Sequence, residues 1–166
     1  MEKYFIQPAP GVIERALESW AWVGIGNKRP LSVTAFGDVF FEAPDGVWFL
    51  DGSLEGKLSR VCSTPEELKK ALGTEESQDH FLLGGFIERA LSEGLRLGPN
   101  ECYDFKIHPR VGGKIAFENI EKRGFVVTLH IRGQLHDQVR HLKPGTKISK
   151  FVVVGGKKPA PWRKLW

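Results

Sequence analysis

Apolar residues recur at helical spacing near the start of the chain and then switch to short alternating runs. Val12, Ile13, Ala16, Leu17 and Trp20 form one stripe with Glu14, Arg15 and Glu18 opposite, which predicts an amphipathic helix within GVIERALESWAWVG. From Leu31 to Asp51 the sequence LSVTAFGDVFFEAPDGVWFLD sets five aromatic residues among β-branched ones, the composition of strands. Ala43-Pro44-Asp45-Gly46 supplies a turn, with proline at its second position and glycine at its fourth. That loop predicts a register: Glu42 opposite Val47, Phe41 opposite Trp48, Phe40 opposite Phe49, Val39 opposite Leu50. Alternation then puts Phe41, Trp48, Val39 and Leu50 on one face and Phe40 with Phe49 on the other. Both faces are apolar. The expectation is that one face is core and the other an interface.

Farther along, KLSRV predicts another antiparallel strand. In Ser63-Thr64-Pro65-Glu66-Glu67, Thr64 can cap a helix, Pro65 fits its first position and Glu67 can close a capping box. That helix stops at Gly73. A longer helix is expected from about 75 to 93, with Leu83, Phe86, Ile87, Ala90 and Leu91 along one side and Gly94 ending it. Gly84-Gly85 inside it reads as a place where another backbone packs closely. ECYDFKIHP predicts a strand with an alternating Tyr103, Phe105, Ile107 row, and Val111-Gly112-Gly113 a turn. GFVVTLHI is strand-like at its start, and RGQLHDQVRHL has helical spacing through Ile131, Leu135, Val139 and Leu142. Pro144-Gly145 breaks that helix, TKISKFVVV predicts a last strand, and GGKKPAPWRKLW reads as a tail. The order implies an α+β fold, an antiparallel sheet with flanking helices. One compact domain is expected over residues 1–154, with a basic, Trp-containing tail over 155–166.

At 166 residues the chain is long enough to bury its own core. No apolar run approaches the roughly 20 residues that span a bilayer. MEKYFIQPAP lacks the charged-then-apolar pattern of a signal peptide, so the expected location is cytoplasmic. Cys62 and Cys102 read as buried thiols and not as a disulfide. The net charge of +4 conceals an asymmetry: residues 1–100 carry 10 basic and 15 acidic side chains, residues 101–166 carry 14 and 5.

Catalytic signatures are missing: there is no GxxxxGK[ST], HExxH, CxxC or GxSxG. His130, His136 and His141, with Asp137 nearby, invite a metal test. On one helix His130 and His141 lie about 16 Å apart along the axis, and His136 points roughly 120° away from His130. Zinc needs its ligand atoms within about 2.3 Å of one centre, which that helix alone cannot provide. Asp137 and His141, four apart, read as a surface ion pair. His108 has no evident nucleophile or acid to work with, and Asp38 after Gly37 reads as a strand-end residue. No catalytic residue, metal or cofactor is assigned, and the chain reads as a non-enzyme. In the tail, Lys157, Lys158, Arg163 and Lys164 interleave with Trp162 and Trp166, a mixture that neutralises phosphate and stacks bases. Nucleic-acid binding through the basic C-terminal half is therefore the alternative reading, without a recognition motif to support it.

TAFGDVFFEAPDGVWFLDGSLEGKLSRV resembles the alanine-phenylalanine-glycine-aspartate, strand, turn, strand, aspartate block in the C-terminal domain of type VI secretion DNase immunity proteins. ESWAWVGIGNKRPL is similar to that family's tryptophan-bearing helix. ECYDFKIHPRVGGKIAFENIE resembles its strand, proline, glycine-glycine, asparagine block, and HIRGQLHDQVRHLKPGTKI its closing glycine-glutamine-histidine, valine helix. Together these cover roughly residues 13–150 in order. The resemblance implies binding: such proteins cap and neutralise a cognate toxin or effector, often a nuclease. Relative to the family, the chain lacks the extra N-terminal portion of longer members and adds the basic tail. An inhibitor of a basic nuclease benefits from an acidic face. Asp38, Glu42, Asp45, Asp51 and Glu55, with Trp48 as anchor, are accordingly the expected partner-binding set.

Overall fold

The computed structural model describes residues 1–154 and the backbone of Lys164–Leu165. In chain order it runs β1 (Phe5–Ile6), α1 (Pro10–Leu17), a 3-10 stretch (Glu18–Val23), β2 (Arg29–Thr34), β3 (Val39–Ala43), β4 (Gly46–Asp51) and β5 (Lys57–Cys62). There follow α2 (Pro65–Ala71), α3 (Glu75–Leu82), α4 (Gly84–Ser92), β6 (Glu101–Phe105), β7 (Ile120–Gly124), α5 (Phe125–Val139), β8 (Val152–Val153) and β9 (Lys164–Leu165). Strands β1 to β5 form an antiparallel sheet in sequence order, and β6 pairs with β7. This is the expected α+β architecture.

The hairpin has the register that its turn predicts, from Val39 opposite Leu50 to Glu42 opposite Val47. Gly46 holds φ at +133°, and a Cβ there would lie 2.5 Å from the Cys62 carbonyl oxygen, so the turn and the neighbouring strand both need glycine. Each apolar face of the hairpin is covered. Phe40, Val47 and Phe49 pack with Leu68, Leu72, Leu82, Ile87 and Ala90 of α2 to α4. Val39, Phe41 and Leu50 pack with Ala16, Leu17, Trp20, Phe125 and Leu129 from the other side. Fully burying one such side chain contributes about 2–3 kcal/mol, so leaving either face bare would forfeit several times that. The expectation of one open face is thus corrected: helices take both.

Three further expectations change. The helix foreseen over 75–93 is two helices, broken at Leu83, whose φ of +54° is left-handed. Two successive glycines each cost roughly 1 kcal/mol in a helix relative to alanine, and the chain turns there instead of continuing. Asp79 then accepts a hydrogen bond from the Gly85 N–H at 2.8 Å, and the backbone close to Gly84 is that of α3 itself. The strand-like FVVTLHI is the first half of α5. Its β-branched run is overridden because helical spacing buries Phe125, Leu129 and Arg132 along one side. Ile107, expected in the Tyr103–Phe105 row, lies past the end of β6 and is exposed.

The Thr64 cap is present: its Oγ accepts from the Glu67 N–H, and Glu67 accepts from the Ser63 N–H, one residue before the cap. Of TKISKFVVV only Val152–Val153 is a strand, and side chains tie it to α5. Gln134 accepts from the Val154 N–H and donates to its carbonyl, and Gln138 does the same for Val152. The rise of about 6 Å over four helical residues nearly matches two strand residues of about 6.6 Å, so two carboxamides serve alternate residues as a neighbouring strand would. Lys157, Lys158, Trp162, Arg163 and Trp166 of the tail lie outside the described residues. Among those described, no helix is long and apolar enough to cross a membrane. Cys62 and Cys102 are both free thiols; Cys102 is buried and Cys62 half-buried.

Candidate partner surface and the network behind it

The six expected partner-binding residues fall into three places. Glu42, Asp45 and Trp48 sit together at the turn end of the hairpin. The Trp48 indole N–H donates to Asp45 Oδ1 at 3.0 Å, and Lys28 Nζ stands 4.5 Å above the ring centroid. Arg60 Nε donates to the Asp45 carbonyl at 2.5 Å, and Glu42 is ion-paired with Arg29. This end therefore carries cations and carboxylates interleaved around one half-exposed indole, where an acidic patch was expected. Asp51 and Glu55 lie at the opposite end, about 17 Å away along a six-residue strand. Asp51 is half-buried and accepts from the Leu54 N–H at 2.9 Å; burial raises its carboxyl above the ordinary range. Glu55 is exposed. Asp38 does not share their surface: it is 3% exposed and turned inward.

Asp38 belongs to a buried polar network. Its two oxygens accept from the Ser53 N–H at 2.8 Å and the Ser53 hydroxyl at 2.7 Å, and Arg132 Nη1 lies 3.9 Å from Oδ1. Burial and the nearby Asp51 push its carboxyl up to about 7, against the pull of Arg132 and Ser53. Arg132, on α5, donates to Asp104 Oδ1 through Nε at 3.2 Å and Nη2 at 2.9 Å, and to the Phe36 carbonyl at 2.6 Å. Arg123 reaches the other Asp104 oxygen at 2.9 Å. Beside them His136 Nε2 meets the Gly52 carbonyl at 3.1 Å, and the His108 ring stands 4.9 Å from that of His136, nearly perpendicular. Burial, followed by Arg132 and His136, depresses His108 to about 2; burial depresses His136 to about 4. His108 Nδ1 accepts from the Arg110 N–H, which assigns the hydrogen to Nε2, an atom without a partner among the described residues.

The arrangement fixes elements to one another. His108 meets a second histidine and not a carboxylate, and no three metal-ligating side chains gather among the described residues. Asp137 pairs with Arg140 at 2.9 Å and not with His141, because the helix ends at Val139 and carries His141 out of range. The residues quoted for the resemblance have structural tasks throughout. Gly37 takes φ +82° with Leu129 only 2.9 Å from where a Cβ would be, and Phe36 offers its carbonyl to Arg132. Asn119 binds the N–H and carbonyl of Ile107 and the carbonyl of Lys114, closing the loop over Gly112-Gly113. On α5, Gly133 admits Ser19 at 2.3 Å from a would-be Cβ, Gln134 holds Val154, and His136 reaches Gly52.

Sequence reasoning missed Asp104 and Arg132. A signal was present: each is a charge with apolar neighbours, Asp104 between Tyr103 and Phe105 along the strand, Arg132 one turn from Leu129. Such opposite charges in two buried elements point to each other.

Residues 63–136 match the model of the family described as T6SS immunity protein Tdi1, C-terminal. The resemblance read from the sequence is thus shown over that stretch, and it supports an immunity role. The stretch holds Asp104, His108, Gly113, Asn119, Arg132 and His136, whereas the aromatic hairpin precedes it. No curated protein matches the chain. Among solved structures, it is similar to the crystal structure of Atu4351 from Agrobacterium tumefaciens, with 16% identity and a TM-score of 0.50. That similarity covers 98% of this chain and 75% of the other, and at such identity it is a likeness of fold.

Proposed function

We propose that this protein neutralises a secreted toxin by binding it in the cytoplasm, performing no catalysis of its own, and that the toxin is a nuclease. The observation that carries the reading is that the residues of the family pattern are spent on holding the fold together. His136, Gly133 and Asn119 hold elements together, alongside the buried pair Asp104 and Arg132, which leaves the exterior to be shaped to one partner. Residues 1–154 form the binding unit in this reading, with 155–166 as an appended tail.

The contact is assigned to the turn end of the hairpin, with Glu55 as an outlying charge. Trp48 is already held by Asp45 and Lys28, so seating it against a partner costs little side-chain entropy. Glu42 and Asp45 would pair with the cations a nuclease uses to grip phosphate, and the acidic excess of residues 1–100 would speed encounter. Calorimetric titration against an inactive form of the co-encoded toxin tests this. One-to-one binding is expected, and Trp48→Ala should weaken it by about 2 kcal/mol, some thirtyfold. Unchanged affinity in Trp48→Ala and Asp45→Lys would move the contact elsewhere, and absence of binding by the wild-type chain would end the immunity reading.

A further inference from the structure

A cleft of about 580 Å³ opens between the turn after β6 and the irregular stretch that follows α5. Pro109, Arg110 and Val111 line one wall; Thr146, Lys147 and Ile148 line the other. Neither Arg110 nor Lys147 has an ion-pair partner among the described residues. Nor do Lys147, Ile148 and Ser149 make any hydrogen bond to another described residue, through backbone or side chain. Among the described residues, the second wall therefore offers main-chain groups without partners beside two unmatched cations.

We propose that this cleft binds an extended, acidic peptide segment of a protein partner. Main-chain N–H and carbonyl groups without partners among the described residues can be satisfied by those of an incoming chain laid along them. Arg110 and Lys147 ask for carboxylates on that chain, and Val111 with Ile148 accept apolar side chains between them. Chain segment 155–166 is the wrong occupant by charge: it carries four basic residues and no acidic one. A nucleic-acid strand fits less well, because no aromatic side chain lines the cleft to stack a base. The inference stands apart from the hairpin contact, which lies on other elements.

The test uses the full chain and a fluorescein-labelled decapeptide of alternating Glu and Val, followed by fluorescence polarisation. Saturable binding is expected, with amide shifts at residues 145–149 by NMR. Arg110→Glu combined with Lys147→Glu should weaken it about tenfold or more, and the milder Arg110→Gln with Lys147→Gln should weaken it by less. Both variants alter exposed side chains, and circular dichroism checks that they fold. Absent binding, or binding indifferent to both variants, overturns the proposal. A ten-nucleotide single strand of DNA that binds as tightly as the peptide, through the same two cations, overturns it in favour of nucleic acid.

Discussion

Arg132 reaches Asp104 with two of its nitrogens, at 3.2 and 2.9 Å, while both side chains are almost wholly withdrawn from solvent. One residue sits on α5 and the other on β6, so the pair joins the long helix to the small sheet, and the bond to the Phe36 carbonyl ties in the large one. Removing one partner leaves the other charge buried and unmatched. Arg132→Ala should therefore cost about 3–5 kcal/mol, read as a lower urea midpoint. Arg132→Lys should recover little of that loss, since an ammonium cannot reproduce the planar fork.

Glycine substitutions should sort by what stands next to each. Gly133→Ala places a methyl group 2.3 Å from Ser19 Oγ and should destabilise by about 1–3 kcal/mol. Gly56→Ala should cost more, because its φ is +66° and His136 would lie 2.2 Å away. Gly11, in the first turn of α1, has nothing within 4 Å, so Gly11→Ala should be neutral or stabilising by about 0.5 kcal/mol. Thermal melts of the three variants read the order directly.

Acid should act through the two buried histidines. Their folded values lie below the ordinary 6.5, so the unfolded chain binds more protons below that pH. Their stabilising contribution is full above 6.5 and is lost as pH falls, down to about 4 for His136 and about 2 for His108. Asp38 works in reverse: raised to about 7 from 3.8, it keeps its proton in the folded state, and its stabilising contribution, full below 3.8, is lost as pH rises from there to about 7. The clean measurement is a difference. His136→Gln should remove up to about 1.4 kcal/mol per pH unit from the slope of stability between 6.5 and 4, and leave the slope above 7 untouched. Equal slopes for variant and wild type would mean that His136 is already charged in the folded protein.

The carboxamide clamp on β8 makes a local prediction. Replacing Gln134 and Gln138 with alanine removes four hydrogen bonds from Val152 and Val154. At roughly 1 kcal/mol for each net bond, exchange of those two amides should accelerate by tenfold or more. Global stability should change far less.

The parts of the fold legible in the sequence were those governed by near neighbours. Pro44-Asp45-Gly46 allowed one register, and Thr64-Pro65 with Glu67 set a helix start. What was hidden depended on distant partners. Val126-Val127-Thr128 favour a strand by themselves, yet the helix that buries Phe125 and Arg132 wins. Nothing local told that helices would cover both faces of the hairpin, or that Arg29, Lys28 and Arg60 would gather round Glu42, Asp45 and Trp48. Asp38, grouped with those acids by proximity in sequence, turned inward because Gly37 bends the chain toward Ser53.

The grip of Gln134 and Gln138 has an evolutionary side. Because they hold main-chain groups common to every residue, the grip itself makes no demand on the side chains of Val152 and Val154, while Val153 between them is buried. Such a seat lets the more exposed residues on either side vary while the segment stays where it is.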